Sequence, residues 1–157
     1  MVGGDEIAVN KVWPLLSTIG QHVVRAGPSG NGSLCKLLNN FVATWNMLGV
    51  SQAFILAEKF GLPAERLYTV MAQSSGNSYS LERNYTRITQ KDFSSSFSLE
   101  LGKKDMFLAL DLAAEADLHL IPEDSIRNLF EHLIEQGCSQ MDLSYIHMGV
   151  ERMMSNK

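Results

Sequence analysis

The stretch from Gly27 to Gly61 opens on three glycines, Gly27, Gly30 and Gly32, around Pro28. It then runs without a proline until Gly61 and Pro63 close it. Within it Leu34, Leu37, Leu38, Phe41, Trp45, Leu48, Phe54 and Ile55 recur three or four apart, with one slip at Ser51–Gln52. That is the period of a helix. Ser33 is the expected N-cap and Gly61 the expected residue just past the C-terminus. Such a helix is roughly 40 Å long, more than a domain of this size needs for its own core. It is expected to be the spine of a bundle or of a dimer.

Lys36 and Asn40 fall in the first two turns, four residues apart and so on one face. They place an ammonium and an amide just beyond a glycine loop that a ligand can approach closely. Residue type alone leaves two readings open. A lysine in a first turn is commonly a solvated charge and an asparagine a surface group. The same pair beside such a loop can serve catalysis.

The 157 residues suffice for one domain with a real core. The net charge of −4, with basic residues scattered, argues against a nucleic-acid surface. No apolar run reaches the ~18 residues of a membrane span, and MVGGDE does not read as a signal peptide. Cys35 and Cys138 make neither a disulfide framework nor a metal site. Cys35 is expected to be a packed thiol in a reducing compartment, the cytoplasm, or the mitochondrial matrix in a eukaryote. His119, His132 and His147 lack ligand spacing, so no metal is expected.

Residues 1–26 read as strand, helix, strand. Met1–Gly4 is a short apolar piece, and Asp5–Ile19 is an amphipathic helix with Ile7, Val12, Leu15, Leu16 and Ile19 on one side. Pro14 implies a kink or a first-turn placement. His22–Ala26 is a strand candidate. Two strands need a larger sheet, so this segment looks like the tail of a preceding α/β domain, expected to be disordered alone or to pair with a neighbour. Beyond Gly61, Pro63 starts a short helix with Leu67, Val70 and Met71 inward, and Ser74–Asn77 is a turn. Further helices are expected at Ser78–Thr89 (Leu81, Tyr85, Ile88 inward), Ser98–Leu118 (Leu101, Met106, Phe107, Leu110, Ala114), Glu123–Gln136 and Gln140–Met154. Leu120–Ile121–Pro122 is the break before the third of these, Gly137 stops it, and Ser139-x-x-Asp142 reads as a capping box for the last. Pattern alone therefore gives an all-α domain of about six helices.

The segment GPSGNGSLCKLLNN resembles the G-x-x-G-x-G-x-x-x-K-x-x-x-N segment of the 3-hydroxyisobutyrate dehydrogenases, also called β-hydroxyacid dehydrogenases. The resemblance implies that Lys36 is catalytic and that Asn40, with Gly30 and Gly32 in the loop, binds substrate. The Ser-Ser-Gly at Ser74–Gly76 is also similar to the family's, which places Ser75 and Gly76 near the substrate pocket. Lys104-Asp105-x-x-Leu108-Ala109-Leu110-Asp111 resembles the second signature, about seventy residues further on. By that match Lys104 contacts the nicotinamide cofactor, Asp105 fixes the local geometry, and Phe97 faces the cofactor.

The same resemblance implies a bundle like the C-terminal domain of 6-phosphogluconate dehydrogenase over residues 27–157, the substrate and dimerisation domain. Residues 1–26 would be the end of an N-terminal Rossmann-type NAD(P)-binding domain that is missing here. GPSGNG is not that domain's fingerprint, since Cys35 stands where the third glycine is needed. The implied chemistry is hydride transfer between NAD or NADP and a small β-hydroxy acid or semialdehyde, with Lys36 as general acid/base. The choice of NAD or NADP belongs to the missing domain. A homodimer or larger assembly is expected, without nucleic acid or membrane, and the chain alone is expected to be inactive. The alternative is a non-catalytic helical assembly module.

Overall fold

A computed structural model describes residues 1–120 and 122–155. These fall into two compact units, one from Met1 to Asn40 and one from Phe41 onward. The structure is mostly helical, with one small two-stranded sheet.

The first unit holds β1 (Val2–Gly3), α1 (Glu6–Ile19), β2 (Arg25–Gly27) and the opening turns of α2 (Asn31–Lys59). Asp5 caps α1 by accepting the Ala8 N–H at 3.0 Å. Pro14 sits inside the helix, not in its first turn. β1 and β2 pair in parallel with each other, Val2 with Arg25 and Gly3 with Gly27. Only Val9 of α1 is buried, while Ile7, Val12, Leu15 and Ile19 are exposed. Two strands offer too little surface to cover that face.

β1 lies against the start of α2 at backbone distance. A Cβ on Gly3 would stand 2.5 Å from the Pro28 carbonyl oxygen, and one on Gly32 would stand 3.0 Å from the Gly3 nitrogen. Glycine at both positions is a packing requirement, because backbone has no flexible end to yield.

The second unit contains the remainder of α2 and then α3 (Ala64–Ala72), α4 (Tyr79–Gln90), α5 (Leu99–Glu115), α6 (Glu123–Glu135), a 3-10 turn at Leu143–Tyr145, and α7 (Ile146–Ser155). From α2 to α7 there are six α-helices among the described residues. α2 ends as expected, on Gly61 with φ +70. Gly61 N–H bonds Glu58 at 3.1 Å and Leu62 N–H bonds Ala57 at 2.8 Å, the paired bonds of a Schellman motif. Gly137 ends α6 in the same way, with bonds from Gly137 to Ile134 and from Cys138 to Leu133. Ile121, within the expected break before α6, lies outside the described residues.

The core is built from Met47, Val50, Phe54 and Ile55 of α2, Leu81 and Ile88 of α4, Leu99, Met106 and Leu110 of α5, Phe130 and its neighbours of α6, and Ile146 and Val150 of α7. The buried stripe of α2 differs from the expected one. Leu34 and Leu38 are exposed, whereas Thr44 and Ser51 are buried. Ser51, the slip in the apolar pattern, is accommodated because its hydroxyl donates to the Met47 carbonyl at 2.9 Å. Val70, Leu101 and Ala114, expected inward, face outward, and α5 stops at Glu115 short of Leu118. Tyr68 takes the inward place on α3 by stacking on Tyr85 at 4.1 Å.

Candidate functional site

In the first unit the expected loop and helix start are one continuous piece. Asn31 N–H bonds the Pro28 carbonyl at 3.1 Å, and the Asn31 side chain donates to the Ala26 carbonyl at 2.8 Å, tying the end of β2 to the helix. α2 therefore begins at Asn31, and Ser33 lies inside its first turn and is not the N-cap. Gly30 holds φ +93, and nothing stands within 4 Å of where a Cβ would be. A residue in that conformation with open space beside it allows close approach of a ligand to the backbone.

The first N–H groups of α2 have no intrahelical acceptor, and no acidic residue occupies the first turn. The helix start thus presents its positive end without a competing carboxylate. Lys36 and Asn40, both half-buried, follow on one face. An ammonium, an amide and oriented backbone N–H groups suit an anionic, oxygen-rich small molecule. Cys35 is exposed, contrary to the packed thiol expected, because the opening turns of α2 have no buried face and its first buried residue is Thr44.

In the second unit Ser75 is exposed in the turn closed by the Asn77 N–H to Ser74 carbonyl bond at 3.1 Å. Phe97 is half-buried just before α5, which Ser98 caps. Lys104 is 57% exposed, and its Nζ lies 3.5 Å from Oδ1 of buried Asp105. A held ammonium and a half-open aromatic ring are suited to a phosphate-bearing, flat-ringed cofactor. The two sets of expected residues belong to different units: Gly30, Gly32, Lys36 and Asn40 to the first, and Ser75, Phe97, Lys104 and Asp105 to the second. Among the described residues no group of three or more His, Cys, Asp or Glu is arranged to hold a metal ion.

Sequence reasoning missed Asp142. The expected capping box from Ser139 does not form, since Asp142 itself caps the 3-10 turn at Leu143–Tyr145 and α7 starts only at Ile146. Its buried carboxylate accepts from Ser96 N–H (3.0 Å), Ser96 hydroxyl (2.8 Å), Phe97 N–H (3.1 Å), Ser144 N–H (3.1 Å) and Ser144 hydroxyl (2.8 Å). Arg87 lies 3.8 Å away. The only local signal was the Asp-x-Ser spacing of an Asx turn.

Burial alone would push the Asp142 carboxyl up, but these hydrogen bonds outweigh it and bring its pKa to about 2 from 3.8. His147 shifts the other way for its type. Burial favours its neutral form and lowers its pKa from 6.5, against the attraction of Glu151 and Glu58 and with the help of Lys91. Its Nδ1 is buried without a partner.

Both shifts destabilise the fold in acid. The unfolded chain protonates His147 at higher pH than the folded one, so stability falls as pH drops below 6.5. The Asp142 contribution is complete above 3.8 and is lost as pH falls to about 2, an effect of about 2 kcal/mol. Urea midpoints followed from neutral to strongly acid pH are expected to fall in those two stages. His147→Leu is expected to remove the first stage alone.

The family model described as "NAD-binding of NADP-dependent 3-hydroxyisobutyrate dehydrogenase" matches residues 30–148, from the open glycine through both signatures to α7. The chain belongs to the 3-hydroxyisobutyrate dehydrogenase family. Members of this family use NAD or NADP. The chain is 32% identical to a 2-(hydroxymethyl)glutarate dehydrogenase of Eubacterium barkeri, over 93% of itself and 49% of that relative. It is 31% identical to a 2-hydroxy-3-oxopropionate reductase of Escherichia coli K12, over its full length and 54% of that protein. A Mycobacterium tuberculosis 3-hydroxyisobutyrate dehydrogenase solved with L-serine superposes with a TM-score of 0.85 at 28% identity, covering 94% of this chain and 53% of that one. The chain spans about half the length of the curated relatives it matches. No helix among the described residues is long and apolar enough to cross a membrane.

Proposed function

We propose that this chain is the C-terminal half of an NAD(P)-dependent oxidoreductase acting on a small β-hydroxy acid or the matching semialdehyde. The observation that carries the reading is the helix start. Gly30 is open to close approach, and Lys36 and Asn40 follow on one face, inside a segment that the family model covers. Residues 27–157 would form the substrate and dimerisation domain, with the bundle of the 6-phosphogluconate dehydrogenase C-terminal type. Residues 1–26 would complete a Rossmann-type nucleotide-binding domain lying upstream, whose sheet would cover the exposed face of α1.

NAD(P), when bound, donates or accepts the hydride. This chain's part is to hold the substrate and move a proton. Asn40 and the backbone at Gly30 and Gly32 orient the substrate, and Ser75 of the second unit is assigned to substrate binding as well. In reduction the Lys36 ammonium hydrogen-bonds the carbonyl oxygen and gives it a proton as negative charge develops there. In oxidation the neutral amine takes the hydroxyl proton. Lys104, held by Asp105, and Phe97 face the cofactor. The chain by itself, without the covering domain, is inactive in this reading. The test is an NAD(P)H-linked assay of the full-length protein with a panel of β-hydroxy acids and semialdehydes. Turnover is expected with at least one, and turnover with none overturns the proposal.

A second reading, a helical assembly module without chemistry, draws on α2 itself. Leu34 and Leu38, both in the first unit, are exposed and stand four residues apart, an apolar stripe on the opening turns of α2. We assign the stripe to a second copy of the chain, a role compatible with catalysis. Leu38→Glu is expected to shift a dimer to monomer in sedimentation at micromolar concentration. An unmodified chain that sediments as a monomer contradicts the assignment.

A further inference from the structure

We infer that Asp142 is a positioning residue for the cofactor-facing side of α5, an inference that rests on the function proposed above. Phe97 immediately precedes Ser98, the extended N-cap of α5, and its backbone is held on both sides by the same strip of chain. Its N–H donates to Asp142 Oδ2 at 3.1 Å, and its carbonyl accepts the Leu143 N–H at 2.7 Å. Asp142 N–H in turn donates to the Phe93 carbonyl at 3.1 Å. The first N–H groups of α5, which no intrahelical carbonyl can satisfy, are taken by the same strip. Leu99 donates to the Met141 carbonyl at 2.8 Å and Glu100 to the Ser139 carbonyl at 3.1 Å. The register of α5, and with it the place of Lys104 in its second turn, is therefore set by residues about forty positions further along the chain.

Asp142 is the joint of this strip. One of its oxygens gathers Ser96 and Phe97, the other gathers Ser144, and Arg87 stands behind. Ser96 extends the joint to α4, because its hydroxyl also accepts from Arg83 at 2.5 Å. A carboxylate is suited to the place because it is acceptor-only and can take four or more donors at once. An amide in its place must turn an N–H₂ toward donors on one side, so either Ser96 with Phe97 or Ser144 loses its acceptor. No residue of this joint needs to touch cofactor or substrate. Its effect would pass through the Phe97 backbone and the start of α5.

The experiment compares the full-length protein with its Asp142→Asn and Ser96→Ala variants in three measurements. These are amide hydrogen exchange at Ser96 to Leu99, the dissociation constant of NADH and NADPH by fluorescence titration, and kcat and KM for the hydroxy acid. In Asp142→Asn the Phe97 amide is expected to exchange faster. The cofactor dissociation constant is expected to rise about tenfold, while the hydroxy-acid KM changes less than about twofold. Ser96→Ala, which keeps the carboxylate, is expected to show the same pattern at about threefold, and it decides the matter if Asp142→Asn does not fold. A merely structural loss lowers the active fraction and leaves cofactor affinity unchanged. Faster exchange with unchanged cofactor affinity therefore overturns the inference alone. A wild-type protein that binds neither cofactor overturns the function proposed above, and this inference with it.

Discussion

Lys36→Ala in the full-length protein is expected to lower kcat/KM about 100- to 10,000-fold, the range of a positioned general acid/base. The loss should appear mainly in kcat, because the proton is needed as the carbonyl oxygen gains charge and not when the substrate docks. Lys36→Arg should recover little. A guanidinium keeps the charge and the hydrogen bonds but does not release its proton at working pH. Cofactor affinity and sedimentation should be unaltered in both variants, since Lys36 is absent from the buried core and from the exposed stripe of α2. That combination separates an enzyme from an assembly module. Retention of more than about a tenth of the wild-type rate in Lys36→Ala overturns the role assigned to it.

Phe130→Ala is expected to destabilise the fold by about 3–5 kcal/mol, the usual cost of removing a fully buried aromatic ring. Phe130 has no exposed surface. It lies on α6, which is packed by both α5 and α7. A Cβ on Gly102 would stand 3.6 Å from its ring and 2.4 Å from Leu143 Cδ1. That closeness leaves the neighbours little freedom to collapse into the void, which favours the upper part of the range. Leu101, one residue away from Gly102 but exposed on α5, is the control. Leu101→Ala is expected to change stability by less than about 0.5 kcal/mol. Urea denaturation of the 157-residue chain measures both. Equal losses would mean that the core does not lie under α6.

The elements were legible wherever the governing chemistry is local. Gly61 and Gly137 close α2 and α6 because an αL residue past a helix end is a matter of one φ angle and two nearby hydrogen bonds. Asp5, Ser78 and Ser98 open α1, α4 and α5 through a hydroxyl or carboxylate that reaches an N–H three residues on. The family, too, was legible, since its two signatures are short runs of residues.

What was misread concerns faces. Both Leu38 and Met47 fit a helical period, yet Leu38 is exposed and Met47 is buried. Periodicity says that α2 is a helix, but only the neighbours along its length say which side each stretch turns inward. Ser33 is an acceptable cap in isolation. Asn31 starts the helix earlier because its side chain finds the Ala26 carbonyl.

By itself, then, the sequence determined the order of the helices, the glycine stops of α2 and α6, the family, and the pairing of Lys36 with Asn40 one turn apart. Tertiary structure alone decided which apolar residues are buried, why Gly3 and Gly32 must lack a side chain, and that Asp142 is no part of a capping box. Caps and turns are made with partners three to five residues away, within reach of any local pattern. The acceptor for the Ser96 and Phe97 amides stands about 45 residues off, and no period or propensity spans that distance.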